Sequence, residues 1–239
     1  MCGSRLTSGE RELCSACCCV LPRVDYRGGE HHGAIERLFW GQIPVERATS
    51  MFYYSGANVR RMIHCSKYDD RPKVGRALAQ MFAEEHADTD FFDGVDAIVA
   101  MPLHWKKYWK RGYNQSDYIA EGLHRATGIP VLKGVVQRIR NNPTQTRLSH
   151  IERKENVENC FRVWHPERIE GRHILLVDDV MTTGATLLAC ATEMARVPNV
   201  RFSLFTLAYA HSPVDFLIEE KKPMEYEFHV RPSDFEDEP

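Results

Sequence analysis

Apolar residues along this chain arrive in two rhythms. Residues 174–177 are a short unbroken apolar run that suits a strand covered on both faces in a parallel sheet, residues 95–100 read as a second buried strand, and residues 200–210 alternate and then run apolar, consistent with a last strand. Between them apolar residues recur three and four positions apart. Val59, Met62 and Ile63 lead towards Lys67 and Tyr68, Val74, Leu78, Met81 and Phe82 form a second amphipathic stripe, and Tyr118, Ile119 and Leu123 form a third that ends near Thr127. A fourth helical pattern covers residues 186–196. Residues 50–54 read as an aromatic strand ending near Ser55 and Gly56, and residues 131–140 as a strand with a basic end, broken by Asn141, Asn142 and Pro143. Strands alternating with helices predict an α/β domain with a twisted, mainly parallel sheet flanked by helices.

Both ends of the chain depart from these rhythms. Residues 1–34 are rich in cysteine and glycine and bury little by themselves, so they are expected to form a small Cys-rich module ahead of the main domain, residues 35–211. Residues 212–239 form an acidic tail, with Glu219, Glu220, Glu225, Glu227, Asp234, Glu236, Asp237 and Glu238. At 239 residues the chain has room for one sizeable α/β domain and a small appendage. Its formal charge of -2 gives no argument for nucleic-acid binding through bulk electrostatics, so any DNA role needs a local patch or a partner. No run of about eighteen apolar residues occurs and Met1 to Arg5 do not open a signal peptide, which predicts a cytoplasmic protein without membrane insertion.

Eight cysteines in such a compartment are thiols or metal ligands. Cys14-Ser15-Ala16-Cys17 is a knuckle suited to tetrahedral zinc (Zn2+), with Cys2 twelve residues earlier as a third thiolate. The fourth ligand is open between Cys18, Cys19, His31, His32 and a cysteine upstream of Met1, which would mean a start assigned too late. Cys65 and Cys190 sit in helical or apolar patterns and read as packing residues.

The chemistry gathers where the run 174–177 stops. Asp178 and Asp179 fall at the carboxyl end of that strand, the edge at which open α/β sheets bind ligands. Val180, Met181, Thr182, Thr183, Gly184, Ala185 and Thr186 then lead into a helix whose free N–H groups and dipole favour an anion. Two acids before a phosphate cup suit a ligand with vicinal hydroxyls next to a phosphate, such as ribose 5-phosphate. The lysine-bearing P-loop of ordinary nucleotide sites is absent. A second strand end, after Ala100, carries Met101-Pro102-Leu103-His104-Trp105-Lys106-Lys107 and then Lys110 and Arg111. This is either a holder for a leaving diphosphate or a solvated basic turn. Lys67 meets a diphosphate or caps its helix in solvent. Residues 144–156, polar and charged, suit a mobile lid or an ordinary surface loop.

Residues 174–186 resemble the phosphoribosyl-diphosphate (PRPP) motif of type I phosphoribosyltransferases. Adding the cysteine knuckle before Leu21-Pro22, Lys67-Tyr68, Met101 to His104, Arg111-Gly112-Tyr113-Asn114-Gln115, then Gln145, Leu148, Arg153, Asn156 and Phe161, the chain resembles the ComF family over residues 1–211. That resemblance implies a type I phosphoribosyltransferase fold, a zinc-binding N-terminal module, bacterial cytoplasm and, in some members, a part in DNA uptake during competence. It implies that Val180 to Thr186 hold the 5-phosphate and Asp178 and Asp179 the ribose hydroxyls. Lys106, Lys107, Arg111 and Lys67 would take the diphosphate, with Leu103 and His104 in the same loop and magnesium (Mg2+) accompanying PRPP. A phosphoribosyltransferase is the leading reading, and a non-catalytic PRPP sensor or scaffold that contacts other proteins or single-stranded DNA is the other. The acceptor and the oligomeric state are left open.

Overall fold

Four parallel strands form the centre of the computed structural model, which describes residues 5–8, 10, 12–26, 33–68, 72–140 and 159–210. In chain order the strands are β1 (Val45–Tyr53), β2 (Ala97–Ala100), β3 (Val136–Arg138), β4 (Phe161–Val163), β5 (His173–Met181) and β6 (Arg201–Tyr209). The main sheet has the order β1-β6-β5-β2, and β3 and β4 form a separate antiparallel ribbon. The helices are α1 (Ser15–Cys19), α2 (Ala34–Arg37), α3 (Gly56–Tyr68), α4 (Lys73–Glu85), α5 (Trp105–Arg111), α6 (Gln115–Thr127) and α7 (Ala185–Met194).

Side chains alternate across the sheet and feed two cores. Ile174 and Leu176 join Phe202, Leu204, Phe39, Leu187 and Met194 beneath α2 and α7. Leu175 and Val177 join Phe205, Leu78, Phe82, Ile119 and Leu123 beneath α4 and α6. A sheet covered on both faces explains why β5 and β6 read as continuous apolar runs. Phe82 packs tilted against Phe205 with ring centroids 4.4 Å apart and meets Phe91 edge-on at 5.5 Å. Each such buried ring contributes on the order of 2–3 kcal/mol. Helices α4 and α6 approach so closely that a Cβ on Gly122 would lie 2.2 Å from the Arg76 carbonyl oxygen. Residues 22–26 run beside β1, with Tyr53 N–H donating to the Pro22 carbonyl and Val24 N–H to Met51.

Three expectations about elements change. β5 does not stop at the acids: its pairing with β6 continues to Met181 opposite Tyr209, whereas β2 ends with Ala100 opposite Val177. The acids therefore sit on a strand that has lost one neighbour. Residues 131–140 are not one strand, because a bend at Gly134 and Val135 turns the chain out of the main sheet. Val131 makes only an isolated bridge to Ile98, and β3 pairs with β4. The basic segment after Ala100 is helical from Trp105, because the His104 side chain accepts a hydrogen bond from Lys106 N–H at 3.2 Å and caps α5.

Candidate functional site

Because β2 ends four residues short of β5, a cleft of about 830 Å3 opens at the carboxyl edge of the sheet. Its walls come from α3, the segment 101–104, α5, the start of α6, and β3. Asn114 fixes two of these walls, since its side chain caps α6 through Ser116 N–H and donates to the Met101 carbonyl at 3.0 Å. Tyr113 ties the same turn to α3 through a 2.9 Å bond from its hydroxyl to the Ser66 carbonyl.

Consecutive strand residues ordinarily face opposite ways, yet Asp178 and Asp179 both border this cleft. Asp178 Oδ1 curls back to accept from the Asp179 N–H at 2.9 Å and also accepts from Ser116 Oγ at 2.9 Å. Asp179, almost wholly buried, places Oδ2 3.0 Å from Lys67 Nζ. Beyond this ion pair Oδ2 has no hydrogen-bond partner among the described residues, so it keeps acceptor capacity facing the cleft.

Burial, and then repulsion from Asp179, pushes the Asp178 carboxyl up to about 7. The Asp179 amide, Lys67 and Ser116 pull the other way without cancelling the rise. Burial alone would lower the Lys67 ammonium; attraction to Asp179, with Asp178 behind it, more than reverses this and leaves it above its ordinary value. Lys107 is lowered by burial and by repulsion from Arg138, Arg111 and Lys67. The cleft thus sets two adjacent carboxylates against several cations, with Asp178 and Lys107 each disfavoured by burial and by like charge beside it. Hydroxyl donors would relieve the first set and an oxyanion the second.

The structure gathers Lys67, Leu103, Lys107, Arg111, Asp178, Asp179 and Thr186 around the cleft. Others lie elsewhere. Lys106 is exposed, its ammonium 5.4 Å from the Trp105 ring. His104 is a buried cap, with its imidazole lowered by burial and by Arg138, Lys106 and Lys107. Met181 is in the core beneath α7, Val180 packs against the other core, and Ala185 faces a separate groove with Leu188. The turn itself is held by Gly184, at φ +73°, where a Cβ would meet Phe39 at 2.8 Å, and by Thr183 Oγ1 accepting from Ala185 N–H. Residues 144–156, Cys2, His31, His32 and the acidic tail lie outside the described residues. The cleft also takes residues that had no assigned part in it, Ser116 and Arg138 among them. A hydroxyl at a helix start and one arginine in a basic run carry no signal that separates them from their neighbours.

The donor sets differ in how well they fit metals. Carboxylate oxygens beside an anion-attracting wall suit a hard cation that arrives with a polyphosphate and keeps its waters. For zinc, Cys14 and Cys17 are both buried at the start of α1, which is two thiolates of the usual four. Among the described residues no group of three or more His, Cys, Asp or Glu side chains converges. Cys190 is fully buried and its thiol is pushed up by that burial, as befits a packing residue. No helix among the described residues is long and apolar enough to cross a membrane.

The chain is 40% identical over 221 residues to Competence protein F of Haemophilus influenzae, covering 87% of this chain and 95% of that protein. It is 32% identical over 196 residues to DNA utilization protein YhgH of Escherichia coli K12, covering 81% and 82% of the two. Competence protein ComFC of Bacillus subtilis is 31% identical over 133 residues, covering 54% and 49%. Among solved structures, a glutamine phosphoribosylpyrophosphate amidotransferase from B. subtilis overlaps at TM-score 0.39 and 21% identity, over 59% of this chain and 30% of that one. Adenine phosphoribosyltransferase from Leishmania tarentolae overlaps at TM-score 0.36 and 10% identity, over 75% and 89%. No protein-family profile matches the chain.

Proposed function

The chain belongs to the ComF family, and from that premise we propose that its cleft binds PRPP and transfers the phosphoribosyl group to an acceptor with release of diphosphate. The observation that supports this most is the pairing, in one cleft, of the buried Asp178–Asp179 acids with Lys107, Arg111 and Arg138. In this reading the acids accept from the ribose hydroxyls, and Asp179 Oδ2 gains the hydrogen bond it lacks. The turn from Thr182 to Thr186 and the first amides of α7 hold the 5-phosphate. As the bond from C1 to diphosphate breaks, its electron pair leaves with the diphosphate and positive charge grows on the sugar. The carboxylates stabilise that charge while Lys107, Arg111 and Lys67 stabilise the leaving anion. The acceptor then bonds to C1 and gives up its proton. Magnesium bound with PRPP would supply charge neutralisation on the diphosphate.

Zinc on Cys14 and Cys17, with Cys2 as a third ligand, is proposed as the staple of the N-terminal segment. The names of the relatives, Competence protein F and DNA utilization protein, support a part in competence and in the use of DNA; a cytoplasmic place in DNA uptake is proposed with it.

A second reading, a PRPP-binding sensor without turnover, is favoured by α5. Trp105, Tyr108 and Trp109 are exposed on it, Trp109 by 83%, and are interleaved with Lys106, Lys107 and Lys110. Such a surface suits stacked bases and phosphates of single-stranded DNA. Diphosphate release from PRPP and magnesium, assayed across nucleobases and amines, separates the two: turnover supports the transferase, and saturable binding without turnover supports the sensor.

A further inference from the structure

Arg138 closes β3 opposite Phe161, and its guanidinium carbon lies 5.6 Å from that ring's centre. It borders the cleft, and its Nε is buried with no hydrogen-bond partner. Other arginines of the frame meet acids: Arg23 with Glu85, Arg76 with Glu121, Arg201 with Glu46. Among the described residues no carboxylate lies within ion-pair reach of Arg138. The charged side chains that line the cleft with it include the cations Lys107 and Arg111, and repulsion from Arg138 helps to lower Lys107. It lines that cleft together with Leu103 of the 101–104 segment, Lys107 and Arg111 of α5, and Thr186 of α7.

A withdrawn guanidinium with a cation for a neighbour is unfavourable in the free protein and becomes favourable when an oxyanion arrives. The planar fork of arginine, here over the Phe161 ring, matches phosphate oxygens better than a lysine point charge does. The cleft's other cations, Lys107, Lys110 and Arg111, belong to the segment assigned to diphosphate, and of the turn assigned to the 5-phosphate only Thr186 lines the cleft. We infer that Arg138 grips the diphosphate of the bound donor from the β3–β4 side, an inference that rests on the PRPP reading above and adds to it a residue from outside the main sheet.

The inference expects opposite signs for stability and affinity. Arg138→Gln should raise the melting temperature of the free protein, because a half-buried guanidinium with an unpartnered Nε and no ion pair among the described residues is gone. By calorimetry with magnesium present, the same variant should bind inorganic diphosphate and PRPP about 10- to 100-fold more weakly, the range for losing a hydrogen bond to a charged group. Ribose 5-phosphate should change less than about twofold, and Arg138→Lys should recover only part of the diphosphate affinity. A lower melting temperature with unchanged diphosphate binding would make Arg138 structural and overturn the inference. Equal losses for diphosphate and ribose 5-phosphate would overturn it as well. Wild-type protein that binds diphosphate through Arg138 but not PRPP would sink the PRPP reading alone. PRPP binding indifferent to Arg138→Gln would sink the Arg138 inference alone, and wild type that binds neither ligand would sink both.

Discussion

Replacing Asp178 with asparagine should stabilise the free protein, and more so as pH rises. The carboxyl is displaced from 3.8 to about 7 in the folded chain, by burial and by Asp179. A raised acid pKa means that between these values the folded state holds a proton that the unfolded state has released. Stability therefore falls as pH climbs through that window, and the whole cost is present above pH 7. About three units at 1.36 kcal/mol each set a ceiling of about 4 kcal/mol. Asp178 keeps some contact with solvent, and screening reduces this to about 2 kcal/mol. The asparagine side chain would retain an oxygen for the Ser116 hydroxyl and the Asp179 amide, so the change isolates charge. Thermal melts should show Asp178→Asn above wild type by roughly 4–8 °C at pH 8, and by less than half of that at pH 5. An equal gain at both pH values, or a loss at pH 8, would refute the argument that these acids are crowded against one another.

Lys67→Met strands the Asp179 carboxylate in a buried position and should cost about 3 kcal/mol, with Asp179→Asn in the same chain restoring most of it; urea unfolding of the double-mutant cycle measures the coupling. Gly184→Ala forces a side chain into φ +73° and against Phe39, so about 2 kcal/mol should be lost, read as a lower denaturation midpoint. Gly122→Ala drives a methyl into the Arg76 carbonyl, and a loss of about 3 kcal/mol or more is expected; a midpoint unchanged from wild type would contradict the close packing of α4 on α6.

The sheet was legible because its strands are buried on both faces, which turns residues 95–100, 174–177 and 200–210 into apolar runs that few other structures explain. Helices α3, α4 and α6 showed through the spacing of the residues they bury. The extent of β5 was hidden, since Asp178 and Asp179 look like a strand end and only the length of β6 beside them extends the pairing. Helix α5 was hidden for the opposite reason. Trp105, Tyr108 and Trp109 are exposed, so no apolar stripe marks it, and its start depends on the His104 cap. Asp178, Asp179, Lys67, Lys107 and Arg111 could be named in advance because charge at a strand's carboxyl end is conspicuous. Arg138 could not, as it reaches the cleft from a ribbon whose pairing with residues 161–163 spans a long stretch of sequence. The cysteines gave a spacing without a count, and half of a tetrahedral set cannot distinguish a metal site from two packed thiols.

The account stands on whether this cleft takes a phosphorylated pentose. Titration of PRPP with magnesium into the wild-type chain and into Asp178→Ala/Asp179→Ala, followed by calorimetry, tests it directly. The wild type should bind saturably, and the double variant, folded by its far-ultraviolet dichroism, should lose at least about 100-fold in affinity, as expected when two charged hydrogen-bond acceptors are removed. Equal affinity in the two proteins, or no binding by the wild type, would contradict it.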